Sequence, residues 1–146
     1  MDDVKLMGKF DKLTRMMRRY FMRQFSDMPL TGIQAHVLHY IMMESGRKDV
    51  FTKDLEEFLD IKGPSVTSLV NNLVRGGYLR RETIAGDGRF KKLILTDKAL
   101  KMQTDITSRI TCYAQCFLRH RRGGSAGIRN GHPENDRKHP VNFLPI

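Results

Sequence analysis

Ser65, Thr67, Ser68, Asn71, Asn72 and Arg75 crowd short hydrogen-bonding groups into one segment of a 146-residue chain. An Asn carboxamide can pair with an adenine edge, and Ser and Thr hydroxyls reach bases or phosphates. A Thr methyl can meet the methyl of thymine. The alternative is a solvated helix face with ordinary polar residues. Two other sets could do different chemistry. His36 and His39 lie three apart, and Cys112, Cys116 and His120 recur every four residues, which puts metal-ligating types on one helical face. One helix rarely completes a tetrahedral site, so the thiols are expected to be buried within a dimer helix, and no metal is expected. Their Cβ atoms would lie ~5–6 Å apart, against the ~3.5–4.5 Å a disulfide wants, so both are expected reduced. A redox-sensing role would need a lowered thiol pKa. The chain has no phosphate-binding glycine loop, no zinc spacing and no nucleophile–base pair in sequence context. Neither an enzyme nor a cofactor is expected.

The elements that must position these groups follow from periodicity. Leu6, Phe10, Leu13, Met17 and Tyr20 are spaced 4, 3, 4, 3, one face of a first helix that Pro29 ends. Thr31 and Gln34 have capping-box spacing ahead of a helix from Gly32 to about Met43, with Val37, Leu38, Ile41 and Met42 inward. Thr52 is the expected N-cap of a short third helix, Lys53 to Leu59. A turn with Asp60 and Gly63 leads into a fourth, from Pro64 to Arg75, which Gly76-Gly77 stops. Its core side is Val66, Leu69, Val70 and Leu73, leaving the six polar residues outward. The period then changes to two. Tyr78 to Ile84 and Phe90 to Leu95 read as strands, joined by Ala85-Gly86-Asp87-Gly88 with two positions tolerant of positive φ. Thr96 caps a last helix marked by Leu100, Ile106, Ile110, Tyr113 and Phe117. The fold class expected is mostly α with a small β-hairpin wing: a winged helix-turn-helix.

Charge agrees with this layout. The net charge is +10, which suggests a polyanionic partner. Residues 62–92 hold seven Lys and Arg against two acidic residues, so half the excess sits in about a fifth of the length. An arginine at a hairpin tip, here Arg89, suits a narrow, electronegative minor groove. No apolar run is long enough to span a membrane, and the opening MDDVKLMGKF is unlike a secretory signal. A cytoplasmic protein without a membrane partner is expected.

The stretch from Leu30 to about Ala99 resembles the MarR family of transcriptional regulators. The similarity runs through LTGIQAHVLHYI, then TKDLEEFLDIKGPSVTSLVNNLVRGGYLRRE, then AGDGRFKKLILTDKAL. The family's Asp-x-Arg wing pattern appears as Asp87-Gly88-Arg89, and its closing Leu-Thr as Leu95-Thr96. Lys62-Gly63-Pro64 departs from the family, which often has a Ser or Thr cap there. The resemblance implies a homodimeric, ligand-responsive repressor on a short palindromic site in double-stranded DNA. The reading helix would supply Ser65, Thr67, Ser68, Asn71, Asn72 and Arg75. Arg89 would enter the minor groove with Asp87 bracing it, and Lys91 would lie alongside. A small-molecule effector would sit between the first helix, His36, His39 and the start of the last helix. Two other readings stay open: a nucleic-acid-binding fragment defective in dimerisation, and a winged helix that binds protein.

Four segments are therefore expected: a dimerisation helix over 1–30, the winged helix-turn-helix over 31–96, a second dimerisation helix over 97–118, and a disordered basic tail over 119–146. Residues 119–140 contain only Ala126 and Ile128 as hydrophobes. The tail is either a divergent ending or the product of a reading-frame shift near codon 117. Permissible codons for residues 117–140, read one nucleotide later, can spell an amphipathic helix.

Overall fold

The computed structural model describes residues 3–122, apart from the side chains of Asp87, Phe117 and residues 119–122. The expectations for Asp87 as a brace, for Phe117 and His120, and for a disordered tail beyond residue 122 lie outside the described residues. The elements are α1 (Asp3–Arg23), α2 (Gly32–Glu44), α3 (Thr52–Leu59), α4 (Gly63–Arg75), β1 (Leu79–Ile84), β2 (Asp87–Leu95), α5 (Asp97–Leu100) and α6 (Gln103–Arg122). Among the described residues, no helix is long and apolar enough to cross a membrane.

Local chemistry sets the boundaries. At α2 the capping box forms: the Thr31 N–H donates to Gln34 Oε1 at 2.9 Å, and the Gln34 N–H donates back to Thr31 Oγ1 at 3.4 Å. At α3 the cap is Phe51, not Thr52. Asp54 wins because its carboxylate accepts from the Phe51 N–H at 2.7 Å, tying the first turn down without a hydroxyl. The bend between α3 and α4 is made by Asp60, whose φ of 51° is left-handed. A short polar side chain tolerates that region. Gly63 instead begins α4, followed by Pro64 in the first turn where no N–H is needed. Gly77, with φ of 76°, turns the chain from α4 into β1.

The core joins α2, α3, α4 and the hairpin root. Leu38, Ile41, Leu55, Val66, Val70 and Leu73 are fully buried, with Tyr78, Leu79, Leu93 and Ile106 closing it. The root is fastened three ways. The Leu93 N–H donates to the Val50 carbonyl at 2.8 Å, the Thr96 N–H to Tyr78 at 3.1 Å, and Thr96 Oγ1 to the Gly77 carbonyl at 2.6 Å. Lys98 Nζ donates to the Gly76 carbonyl at 2.7 Å and lies 4.3 Å from the centre of the Tyr78 ring, capping the end of α4.

The expected single last helix is two. Thr96 caps α5, and α6 starts at Gln103. The α6 backbone stays helical to Arg122, four residues past the expected end, because the first helix breaker in that stretch is Gly123. Arg109 fastens α6 to the loop after α1: its guanidinium donates to both Asp27 carboxylate oxygens, to Asp105 at 3.0 Å and to the Gln24 carbonyl. By contrast α1 buries no residue, and Phe10 is 65% exposed.

Candidate nucleic-acid interface

Ser65, Thr67, Ser68, Asn71, Asn72 and Arg75 are all exposed on α4, while Val66, Val70 and Leu73 have no accessible surface. At about 100° per residue the two sets fall on opposite sides of the helix. Packing one side against α3 and the hairpin root therefore fixes the direction in which the other points. The face is polar but bears one charge, so it can hydrogen-bond without demanding a counterion.

The hairpin beside it is less regular than its sequence suggests. Leu79 pairs with Leu95, and successive residues keep step as far as Thr83 with Lys91; then Ile84 pairs with Asp87. Gly88, Arg89 and Phe90 are the surplus on β2. The turn itself is Ala85-Gly86, and Gly86 alone of the two expected glycines takes positive φ, at 96°. Arg89 thus stands on a bulge, a device that re-aims side chains and sharpens local twist. Both Arg89 and Lys91 are exposed.

Arg80, Arg81 and Lys92 of the wing have partners on the protein. Glu82 draws Arg80 to 3.6 Å and Lys92 to 3.4 Å, and Asp49 approaches Lys92 at 3.7 Å. Arg81 Nη2 donates to Asn71 Oδ1 at 2.7 Å, linking wing to reading face. Reading the sequence assigned Arg81 only to the charge tally. The available signal was alternation, because Arg81 falls two residues after the apolar Leu79 and so shares its side of the strand.

His36 and His39 lie away from this face, half-buried on α2. The His36 ring packs edge-on to Phe58 at 4.7 Å and to Phe21, near the end of α1, at 5.6 Å. Phe21 in turn meets Tyr113 of α6 at 4.8 Å. His36 thus meets α1 and α3 directly and is linked to the middle of α6 only through Phe21. Burial lowers the pKa of both histidines, and each ring is neutral near pH 7. Cys112 and Cys116 are free thiols and, within the single chain, exposed rather than buried as expected. Cys116 Sγ is 3.6 Å from Tyr20 Oη, and partial burial pushes the Cys112 thiol up, away from the thiolate that redox sensing needs.

Two helices joined by a left-handed turn, followed directly by a bulged hairpin rooted in the same core, define a winged helix-turn-helix. The MarR family model matches residues 28–89, which span α2 to the wing tip. No curated protein matches it by sequence. Among solved structures, the transcription regulator MarR from Oenococcus oeni PSU-1 is 29% identical. That likeness covers 76% of this chain and 83% of the other, with a TM-score of 0.66. Staphylococcus aureus MepR, in its complex with DNA, is 24% identical over 77% of this chain and 81% of its own, with a TM-score of 0.70. A MarR transcriptional regulator from Methanosarcina mazei Go1 is 20% identical over 80% and 82%, with a TM-score of 0.64. The last two likenesses are of fold.

Proposed function

We propose that the protein is a DNA-binding transcriptional regulator acting as a homodimer, a ligand-responsive repressor on a short palindromic site. One observation carries the reading: an exposed hydrogen-bonding helix face with a cation-rich, bulged wing at its side. Ser65, Thr67, Ser68, Asn71, Asn72 and Arg75 enter the major groove; Arg89 and Lys91, with Asp87 in support, reach the neighbouring minor groove and backbone. MepR shares the fold and has been seen on DNA, which adds weight. The apolar stripe of α1, from Leu6 to Tyr20, supports dimerisation, since a second copy would cover it. Two copies set the reading helices about 10 bp apart, one turn of DNA. His36 and His39 lie on α2, which packs against both α1 and α6, and there an effector would bear on the angle between arm and reading module.

The test is enrichment of random-sequence duplexes on the full chain, followed by a salt titration of the winner. The expected result is a palindrome whose affinity falls with a log–log slope of about 0.9 for each phosphate neutralised. Enrichment of no sequence, or an affinity indifferent to salt, overturns the reading.

A further inference from the structure

Resting on the DNA-reading role proposed above, we infer that Arg81 is a specificity-determining partner of Asn71: by holding its carboxamide, it makes the pair select guanine where Asn71 alone would take adenine.

The geometry begins in the strand. Side chains alternate along β1, so Arg81 leaves on the side where Leu79 enters the core against α4. Arg80 and Glu82 leave on the other side and pair with each other. Arg81 is thereby aimed at the reading helix, and its Nη2 meets Asn71 Oδ1 at 2.7 Å. A guanidinium has donors and no acceptor, so the oxygen of the carboxamide, not its nitrogen, must face it. The carboxamide is planar, and its NH2 group is turned away from Arg81.

The consequence is chemical. Adenine offers the major groove a donor at N6 beside an acceptor at N7, and an unrestrained Asn matches it with Oδ1 and Nδ2 together. Guanine offers two acceptors, O6 and N7. Oδ1 keeps a second lone pair, but a cation bound to the first weakens it as an acceptor, so the pair would meet the groove mainly with donors: the Asn71 NH2 and the remaining guanidinium N–H groups. Guanine satisfies them. Adenine sets its N6 amino group against them, leaving donors unmatched in a desolvated contact. Asn71 and Arg81 are both exposed, so neither is needed for the core.

The experiment uses the full chain and the duplex it enriches, with all four base pairs placed in turn at each position of the half-site. Fluorescence anisotropy at fixed salt reads the affinities. Asn71→Ala should erase discrimination at one position, where the unaltered protein prefers guanine by roughly tenfold. Arg81→Ala should switch that position to adenine by a similar factor, because the freed carboxamide regains its paired contact. Arg81→Lys, which still donates to Asn71, should keep guanine, and the double alanine variant should match Asn71→Ala in discrimination. An equal loss on all four bases from Arg81→Ala, with the salt slope reduced by about 0.9, makes Arg81 a phosphate contact and overturns the inference. Adenine preferred by the unaltered protein at that position, or no position altered by Asn71→Ala, overturns it too. Both outcomes leave DNA binding intact, whereas a failure to enrich any duplex is a failure of the proposed function itself.

Discussion

Helices α1 and α4 are both amphipathic, yet α4 buries Val66, Val70 and Leu73 completely while α1 buries nothing. The apolar stripe of α4 meets α3 and the hairpin root; that of α1 meets solvent along Leu6, Phe10, Leu13 and Tyr20. Amphipathicity belongs to a sequence, whereas burial belongs to a partner. The reading module is complete within one chain. In the homodimer proposed above, a second copy completes the arm, and the arm's contribution to stability then depends on concentration.

Four outcomes break or sharpen that contrast, the largest first. Leu73→Ala leaves a cavity in the closed core and should cost ~2–5 kcal/mol in urea unfolding, at any protein concentration. A cost no larger than that of an α1 substitution would end the distinction. Gly77→Ala puts a Cβ on a left-handed residue at the exit of α4 and should cost about 1 kcal/mol. Its Cβ would meet only Lys98 Cδ at 3.9 Å, so the cost is backbone strain rather than a clash.

A smaller effect depends on pH. His36 and His39 have folded pKa values below the unfolded value of about 6.5, because burial disfavours their charged forms. The unfolded chain then binds more protons, so stability is complete above about pH 6.5 and declines as pH falls toward the folded values. The urea midpoint should drop between pH 7.5 and 5.5, and His36→Gln should flatten the drop. A midpoint that rises on acidification contradicts this assignment. Least of all, Leu13→Ala should change stability by no more than about 0.5 kcal/mol in dilute solution. The same substitution should remove the gain in stability that appears on concentrating the protein, as sedimentation and unfolding at two concentrations would show.

The helices and the polar face of α4 were legible in the sequence because a 3.6-residue period is written into each segment separately. Features decided between segments were not. Thr52 and Asp54 were both capable of closing the first turn of α3, and the choice fell to the carboxylate that reached the Phe51 N–H. The surplus Gly88-Arg89-Phe90 is a matter of cross-strand register, invisible in the alternation of either strand. The link from Arg81 to Asn71 spans a helix end, a turn and a strand, and it needs the packing of Leu79 to aim it. The Arg109 fastening joins residues more than eighty positions apart. No local pattern encodes a contact of that range.

The hairpin root is tied to Val50, Gly77 and Tyr78, whereas the ladder beyond it is irregular where the register jumps. Mechanically this is a cantilever. Its clamped end shares the fate of the core, so the Leu79 and Leu93 amides should exchange with deuterium only when the whole domain opens. Toward Gly86 each amide needs only the parting of a few rungs, and exchange should quicken step by step along the beam. Because compliance grows with distance from the clamp, the bulge carrying Arg89 can shift while the face of α4 stays in place, as the proposed contact with a groove of variable width would use.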